Sequence, residues 1–405
     1  MNPDRERRDD PDAIADSGPE RAAELFSRAE RVAGTSRVEL YHRRTTRVRV
    51  AREPWTTLPS SFGGCEEGIA VRLADSAGRW SFGASSGGGT ASLLWAIEAA
   101  RRSGPIGGGS DDPRVWGAGD GRFRSDVDEA PPPDQTALLD WLDAALGTLA
   151  RSRSRVEGGS PSGWIEAGRT VEILVGHGGL ATLRSRTRIW AMGSADRGRP
   201  PRTLAARRLA SLSTDGWAEP DVDRAPVVGE GIGPPRPVLF EGRAACELVR
   251  YLATVVHGKG ASLGTPVGPG WRVADDPRDP EGLAGGSFDD TGFSTTRRVL
   301  SDGRQVVGTL EERGHSWRPS FRDPPETLFT TLSIPGERGE IPPKARRIGF
   351  LRVHRLTPAR WVLETPGPTY VEADPRDLVR RCLAAFGPPR RLLPGVSAPS
   401  LLFDR

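Results

Sequence analysis

Histidine, lysine and cysteine are all scarce in this 405-residue chain, and each shortage argues against a class of function. The histidines are His42, His177, His257, His315 and His354, and no two stand at the spacing of paired metal ligands. A hydrolytic metal centre needs about three protein ligands plus an open position for water. No metal ligands are therefore expected in this chain. Lys259 and Lys344 are the only lysines; arginine carries the positive charge, is interleaved with acids, and leaves a net charge of only +4. Nucleic-acid surfaces concentrate their basic residues in a block or stripe, so no nucleic-acid partner is expected. Cys65, Cys246 and Cys382 are odd in number, widely spaced and without a C-x-x-C pair, which points to a reduced, cytoplasmic protein with inert thiols. Apolar runs of the roughly 18 residues that span a bilayer are missing. The first twenty residues also lack the apolar core of a signal peptide, so no membrane association is expected.

What is present has the pattern of two α+β domains, each a mainly antiparallel β-sheet with packed helices. Residues 1–18 are charged and proline-containing and are expected to form a disordered tail. An N-terminal domain is expected over 19–219. Within it, Arg21 to Val32 has helical spacing, Arg37 to Val50 alternates as paired strands, and a hairpin turns around Ser76-Ala77-Gly78. Helices are expected from Thr90 to Arg102 and from Asp134 to Ala150. The Gly-, Asp- and Pro-rich stretch 104–133 has no period and is expected as a surface excursion. Strands follow at Arg169 to Val175 and Thr182 to Met192, then a short helix at Arg202 to Leu212. The proline-rich 220–237 segment is the expected linker. In the C-terminal domain, 238–405, the pattern predicts a strand at Val238 to Phe240 and a helix from Arg243 to about Val256. Strands at Leu328 to Ile334, Ile348 to Leu356 and Arg360 to Leu363 and a helix from Asp374 to Phe386 complete it.

One stretch, Gly282 to Gly308, reads as an ordered device. A Gly-rich approach meets the turn Phe288-Asp289-Asp290-Thr291-Gly292. A polar strand then carries Arg297 and Arg298, and Ser301-Asp302-Gly303 closes a hairpin. With Thr331-Leu332-Ser333-Ile334-Pro335-Gly336 and the closing Ser397-Ala398-Pro399-Ser400-Leu401, this run resembles the TldD/PmbA family. The resemblance extends from about Glu24 to Phe403. It implies one of two subunit kinds, which pair as a heterodimer. The TldD kind carries His-Glu-x-x-x-His on a helix and binds a catalytic metal; the PmbA or TldE kind has lost those ligands. Here the corresponding helix, from Arg243 to Leu252, contains no histidine, so the chain resembles the metal-free TldE kind. By that resemblance it would hold no cofactor and no catalytic residue itself and would pair with a homologous TldD-like subunit bearing His-Glu-x-x-x-His and zinc. The pair would form a chamber for unfolded or precursor peptides. Ser287, Phe288, Asp289, Asp290, Thr291 and Gly292, with Arg297 and Arg298, would border the substrate or partner cleft.

Two other readings arise from the residues. Gly83-Ala84-Ser85-Ser86-Gly87 matches G-x-S-x-G between a strand and a helix, which would make Ser85 the nucleophile of an independent hydrolase with His257, His315 or His354. Gly87-Gly88-Gly89 separates Ser85 from the helix, however, and Gly176-His177-Gly178-Gly179 lies on the wrong side of the serine for an oxyanion loop. A second alternative is a binding or scaffold protein repurposed in a biosynthetic pathway. Asp289 and Asp290 are adjacent in extended chain and point to opposite sides; the sequence pairs them with Arg297 or Arg298 as turn-forming residues.

Overall fold

The computed structural model describes residues 12–34, 37–53, 56, 58–105, 124–128, 131–151, 161–176, 181–194, 202–214, 237–290, 292–310, 315–318, 320–323, 326–339, 341–342, 345–348, 352–357, 360–364, 370–393 and 396–404. The fold is α+β, as expected, and is organised around two seven-stranded sheets. The first is built from β1 (Val38–Arg52), β2 (Ser60–Ala74), β3 (Trp80–Ser86), β4 (Arg124–Val127), β5 (Ser162–Val175), β6 (Ala181–Ser194) and β7 (Arg202–Ala206). Its order is β3-β2-β1-β5-β6, with β4 and β7 both on the outer side of β6. All pairings are antiparallel except that of β4 with β6.

Because strand side chains alternate, this sheet has two chemically distinct faces. Val38, Leu40, Ile69, Val71, Val171 and Ile173 point to one side, where α1 (Asp12–Ala33) and α2 (Thr90–Ser103) bury Leu25, Phe26, Leu93 and Ile97 against them. Further along the same face, α3 (Gln135–Arg151) buries Leu138, Leu142, Ala145 and Leu149 on Val50, Ile165 and Ile189. Those α3 residues recur every three to four positions, and Asp134 caps the helix by accepting the Ala137 N–H at 2.8 Å. Each such fully buried Leu or Ile contributes about 1.5–3 kcal/mol. Gly83 lets α2 approach closely, since a Cβ there would lie 2.2 Å from the Ala96 carbonyl oxygen. The opposite face is polar, and the second half of the chain packs on it.

The second sheet runs β10 (Arg298–Val299), β9 (Ala274–Asp275), β13 (Leu332–Ser333), β19 (Val396–Phe403), β8 (Val238–Phe240) and β14 (Arg346–Ile348), with β18 (Cys382–Leu393) also on β19. Its core is covered by α4 (Gly242–Val256), which buries Ala245, Leu248, Val249, Leu252 and Val256 with Trp271, Leu401 and Phe403. Phe240 and Phe403 meet edge to face at 5.4 Å. A short ladder, β11 (Ser316–Trp317) with β12 (Glu326–Thr327), and a three-stranded sheet, β15 (Arg352–Thr357), β16 (Arg360–Glu364) and β17 (Tyr370–Ala373), complete the strands.

Several expectations are corrected. Helix α1 begins at Asp12, inside the segment expected as a tail, and Arg37 to Val50 belongs to a single strand rather than paired strands. The excursion over 104–133 contributes β4, which hydrogen-bonds to β6 at Thr182 to Ser185. Arg202 to Leu212 forms β7 and a 3-10 turn, because pairing of Arg202–Ala206 with Ile189–Gly193 overrides local helix preference. Strand structure in Leu328 to Ile334 is confined to Leu332–Ser333, and Ile348 to Leu356 divides between β14 and β15. The C-terminal helix, α5 (Pro375–Arg380), ends early because Cys382 onward pairs with β19, through Gly387-Pro388-Pro389. The expected linker, apart from Pro237, lies outside the described residues, as do 1–11, 106–123 and His177 to Leu180.

Candidate functional site

The Gly282 to Gly308 segment folds into the two turns its residues predict. Ser287 to Thr295 is a hairpin: Thr295 N donates to Ser287 O at 3.0 Å, Asp289 N to Phe293 O at 2.8 Å, and Gly292 N to Asp289 O at 3.0 Å. Gly292 takes φ 84, which favours glycine, and Asp289 accepts the Phe293 N–H at 3.1 Å in the turn. A second turn forms at Asp302-Gly303, where Asp302 accepts from Arg304 N and Gln305 N and Gly303 takes φ 86. The first hairpin is inserted against the polar face of the first sheet.

There Arg184 of β6 contacts the Asp290 carboxylate directly, and it donates to Glu172 of β5 at 2.5 Å and to the Phe288 carbonyl at 3.3 Å. Tyr41 of β1 donates its hydroxyl to Glu172 at 2.7 Å, and Asp290 accepts the Arg318 N–H at 2.6 Å. All these groups are buried. Burial disfavours the charge on Glu172, but Arg184, Arg43 and the bonds from Arg184 and Tyr41 hold its carboxyl well below the usual range. Asp290 is raised, because burial and the neighbouring Glu172 charge outweigh the pull of Arg184. A second crossing pairs Arg318 with Glu39 of β1 at 2.5 Å, and the Arg318 guanidinium stacks over the Tyr41 ring at 4.7 Å.

Beside this network lies an open cavity of about 500 Å³. Its walls include Asp126 of β4, Arg186 of β6, Arg207, Arg278, Asp279 and the main chain leading to Ser287. Asp126 accepts the Ser287 N–H at 2.9 Å, its hydroxyl at 3.2 Å and Arg186 Nη2 at 3.2 Å. Gly286 makes the approach possible, since a Cβ there would fall 1.8 Å from Arg186 Nη2. The cavity is thus polar, electrostatically mixed and bounded by a strand edge, because β4 pairs only with β6 among the described residues.

Neither models of known protein families nor curated proteins match this sequence. Solved structures do. TldE from Thermococcus kodakarensis is similar at a TM-score of 0.65 and 13% identity, over 94% of this chain and 98% of that one. A proposed DNA gyrase modulator from Thermotoga maritima gives 0.66 at 14% identity, with the same two coverages. A second proposed gyrase modulator, from Bacteroides thetaiotaomicron, gives 0.65 at 13% identity, over 94% and 97%. The chain has the TldE fold.

Within that TldE fold, the expected cleft residues divide. Ser287 and Phe288 line the cavity, Asp289 and Gly292 shape the turn, and Asp290 is buried behind it. Thr291 lies outside the described residues. Arg297 is exposed, and Arg298 pairs with buried Asp275 at 3.1 Å. The expected partnership of the Asp289-Asp290 pair with Arg297 or Arg298 is therefore corrected for Asp290, whose partner is Arg184. Arg184 and Arg186, which sequence reading missed, had a signal in Arg184-Ser185-Arg186-Thr187-Arg188: arginine at every second position of a strand puts all three on one face.

Helix α4 offers little to a metal. On α4, Ala244, Ala245, Cys246, Leu248 and Val249 are buried in the core, and Glu247 pairs with Arg243 at 3.6 Å. Among the described residues no group of three His, Cys, Asp or Glu is arranged to hold an ion. His257, at the end of α4, is buried against Trp271, whose indole N–H donates to His257 Nε2 at 3.2 Å, while Nδ1 faces Gly308 O at 3.3 Å. Ser85 donates to the Ser86 carbonyl at 3.4 Å, and His315 Nε2 bonds the Thr296 main chain. No helix among the described residues is long and apolar enough to cross a membrane.

Proposed function

We propose that this chain is the non-catalytic, chamber-forming subunit of a heterodimeric TldD/TldE-like metallopeptidase acting on unfolded or precursor peptides. The observation that carries this reading is α4. Its inward positions are filled by Ala, Cys, Leu and Val of the core, so a homologous subunit would supply the His-Glu-x-x-x-His helix and its zinc. The similarity to TldE supports the same assignment. Extended peptide would enter beside Ser287 and Phe288 and could hydrogen-bond along the β4 edge, an interaction that tolerates sequence because the main chain supplies much of the affinity.

Co-expression with a neighbouring gene encoding His-Glu-x-x-x-His tests the proposal. The two chains should co-purify as a 1:1 complex with zinc, and peptide cleavage should require both. A chain that forms only homodimers, or that binds stoichiometric zinc alone, would overturn it.

A further inference from the structure

We propose that the cavity between β4, β6 and the Ser287 hairpin is a carboxylate-binding subsite, centred on Arg186, that receives an acidic side chain or the C-terminal carboxylate of an extended peptide. The peptide part of this statement rests on the function proposed above; the anion site rests on the geometry alone. Arg186 is 4% exposed and lines the cavity, yet its Nε finds no acceptor among the described residues. Among the described residues its one side-chain bond is from Nη2 to Asp126, at 3.2 Å. Asp126 is itself shared, since it also accepts the N–H and hydroxyl of Ser287. A guanidinium has five N–H donors in a planar fork, so this one retains donors for a two-pronged contact with a carboxylate.

Arg186, Arg207 and Arg278 line the cavity with Asp126 and Asp279, and Arg207 is already engaged by Asp128 at 2.8 Å, so Arg186, which shares Asp126 with Ser287, is the guanidinium placed to meet a carboxylate. Burial, and then the neighbouring Arg184 charge, push the Arg186 guanidinium down to about 9, which accords with an under-neutralised cation. Gly286 keeps the fork within reach of the main chain, because any side chain there would occupy the Nη2 position.

Fluorescein-labelled extended hexapeptides test the subsite by anisotropy on the full chain. The set is one peptide with a central Asp and an amidated terminus, its Asn counterpart, and the Asn peptide as a free acid. Each acidic peptide should bind about tenfold more tightly than the neutral one, as for one charge-assisted contact. Arg186→Gln should erase the preference. Asp126→Asn, which removes the competing carboxylate but keeps an acceptor for Ser287, should strengthen it. Acetate should raise the melting temperature of the wild type but not of Arg186→Gln. Equal binding of acidic and neutral peptides overturns the subsite and leaves the peptide function standing. If no peptide binds while acetate still stabilises through Arg186, the peptide ligand falls and only the anion site survives. A preference that persists in Arg186→Gln, or that inorganic phosphate abolishes more effectively than acetate, also overturns the proposal.

Discussion

Arg184 and Asp290 come from opposite halves of the chain and meet in a buried ion pair, their side chains 5% and 2% exposed. Arg184 also serves Glu172, so one guanidinium neutralises a carboxylate of its own sheet and one of the inserted hairpin. Removing one member of such a pair strands a buried charge, which costs about 3–5 kcal/mol. Arg184→Met should therefore lower the urea midpoint by that equivalent. Adding Asp290→Asn should cost less than the sum of the two single changes. Strict additivity in that double-mutant cycle would show that the two groups are not coupled.

Acid stability should report on His257. Burial pushes this imidazole down to about 4, from 6.5. The unfolded chain therefore binds the extra proton first, and stability falls as pH drops from about 6.5 towards 4, a loss of about 3 kcal/mol. His315, lowered by burial and Arg298, acts in the same sense. Glu172, held low, also loses stability with acid but only below about 4.5, while Asp290, held high, runs the other way. Comparison of wild type with His257→Gln isolates the histidine: the variant should show a shallower slope between pH 6.5 and 4.5. Identical slopes would contradict the burial argument.

Gly83, within β3, and Gly89, at the start of α2, should respond differently to alanine. At Gly83 a Cβ would lie 2.2 Å from Ala96 O and 2.3 Å from Ala100 N, both backbone atoms of α2 that cannot yield locally. Gly83→Ala should cost about 1–3 kcal/mol or more as overpacking. At Gly89 nothing lies within 4 Å and φ is −98, so Gly89→Ala should change thermal stability little. Equal effects at the two sites would refute the close-approach account.

Phe321 is 2% exposed and packs with Tyr41, Ala70 and Leu174 on the polar face of the first sheet. Its ring lies where a Cβ of Gly68 would be, at 2.1 Å. Phe321→Ala should cost about 3–5 kcal/mol. Because this ring belongs to the second half of the chain and sits on the first sheet, its loss should also separate their unfolding. Scanning calorimetry should show a broadened or double transition, and a single sharp transition at the wild-type temperature would count against this role.

Much of the local structure was legible. Period-two alternation marked β1 and, loosely, β6, helical spacing of apolar residues marked α1, α2 and α3, and Asp-x-x-Gly and Ser-Asp-Gly marked the two turns of Gly282 to Gly308. Elements whose conformation depends on a distant partner were misread. Arg202–Ala206 is a strand because β6 offers it hydrogen bonds, and Cys382–Leu393 leaves the helical path because β19 does the same.

Residue order alone determined the α+β class, the histidine-free α4 and the turn chemistry of the Ser287 hairpin, since each depends on which side chains lie a few positions apart. Tertiary structure decided what that hairpin touches. Asp290 is paired by Arg184, more than one hundred residues earlier, and Asp126, from a stretch expected to be irregular, joins Ser287 and Arg186 at the cavity. The reason is electrostatic and steric together: buried charge needs a partner wherever the chain can bring one, and Gly286 leaves space for the approaching guanidinium.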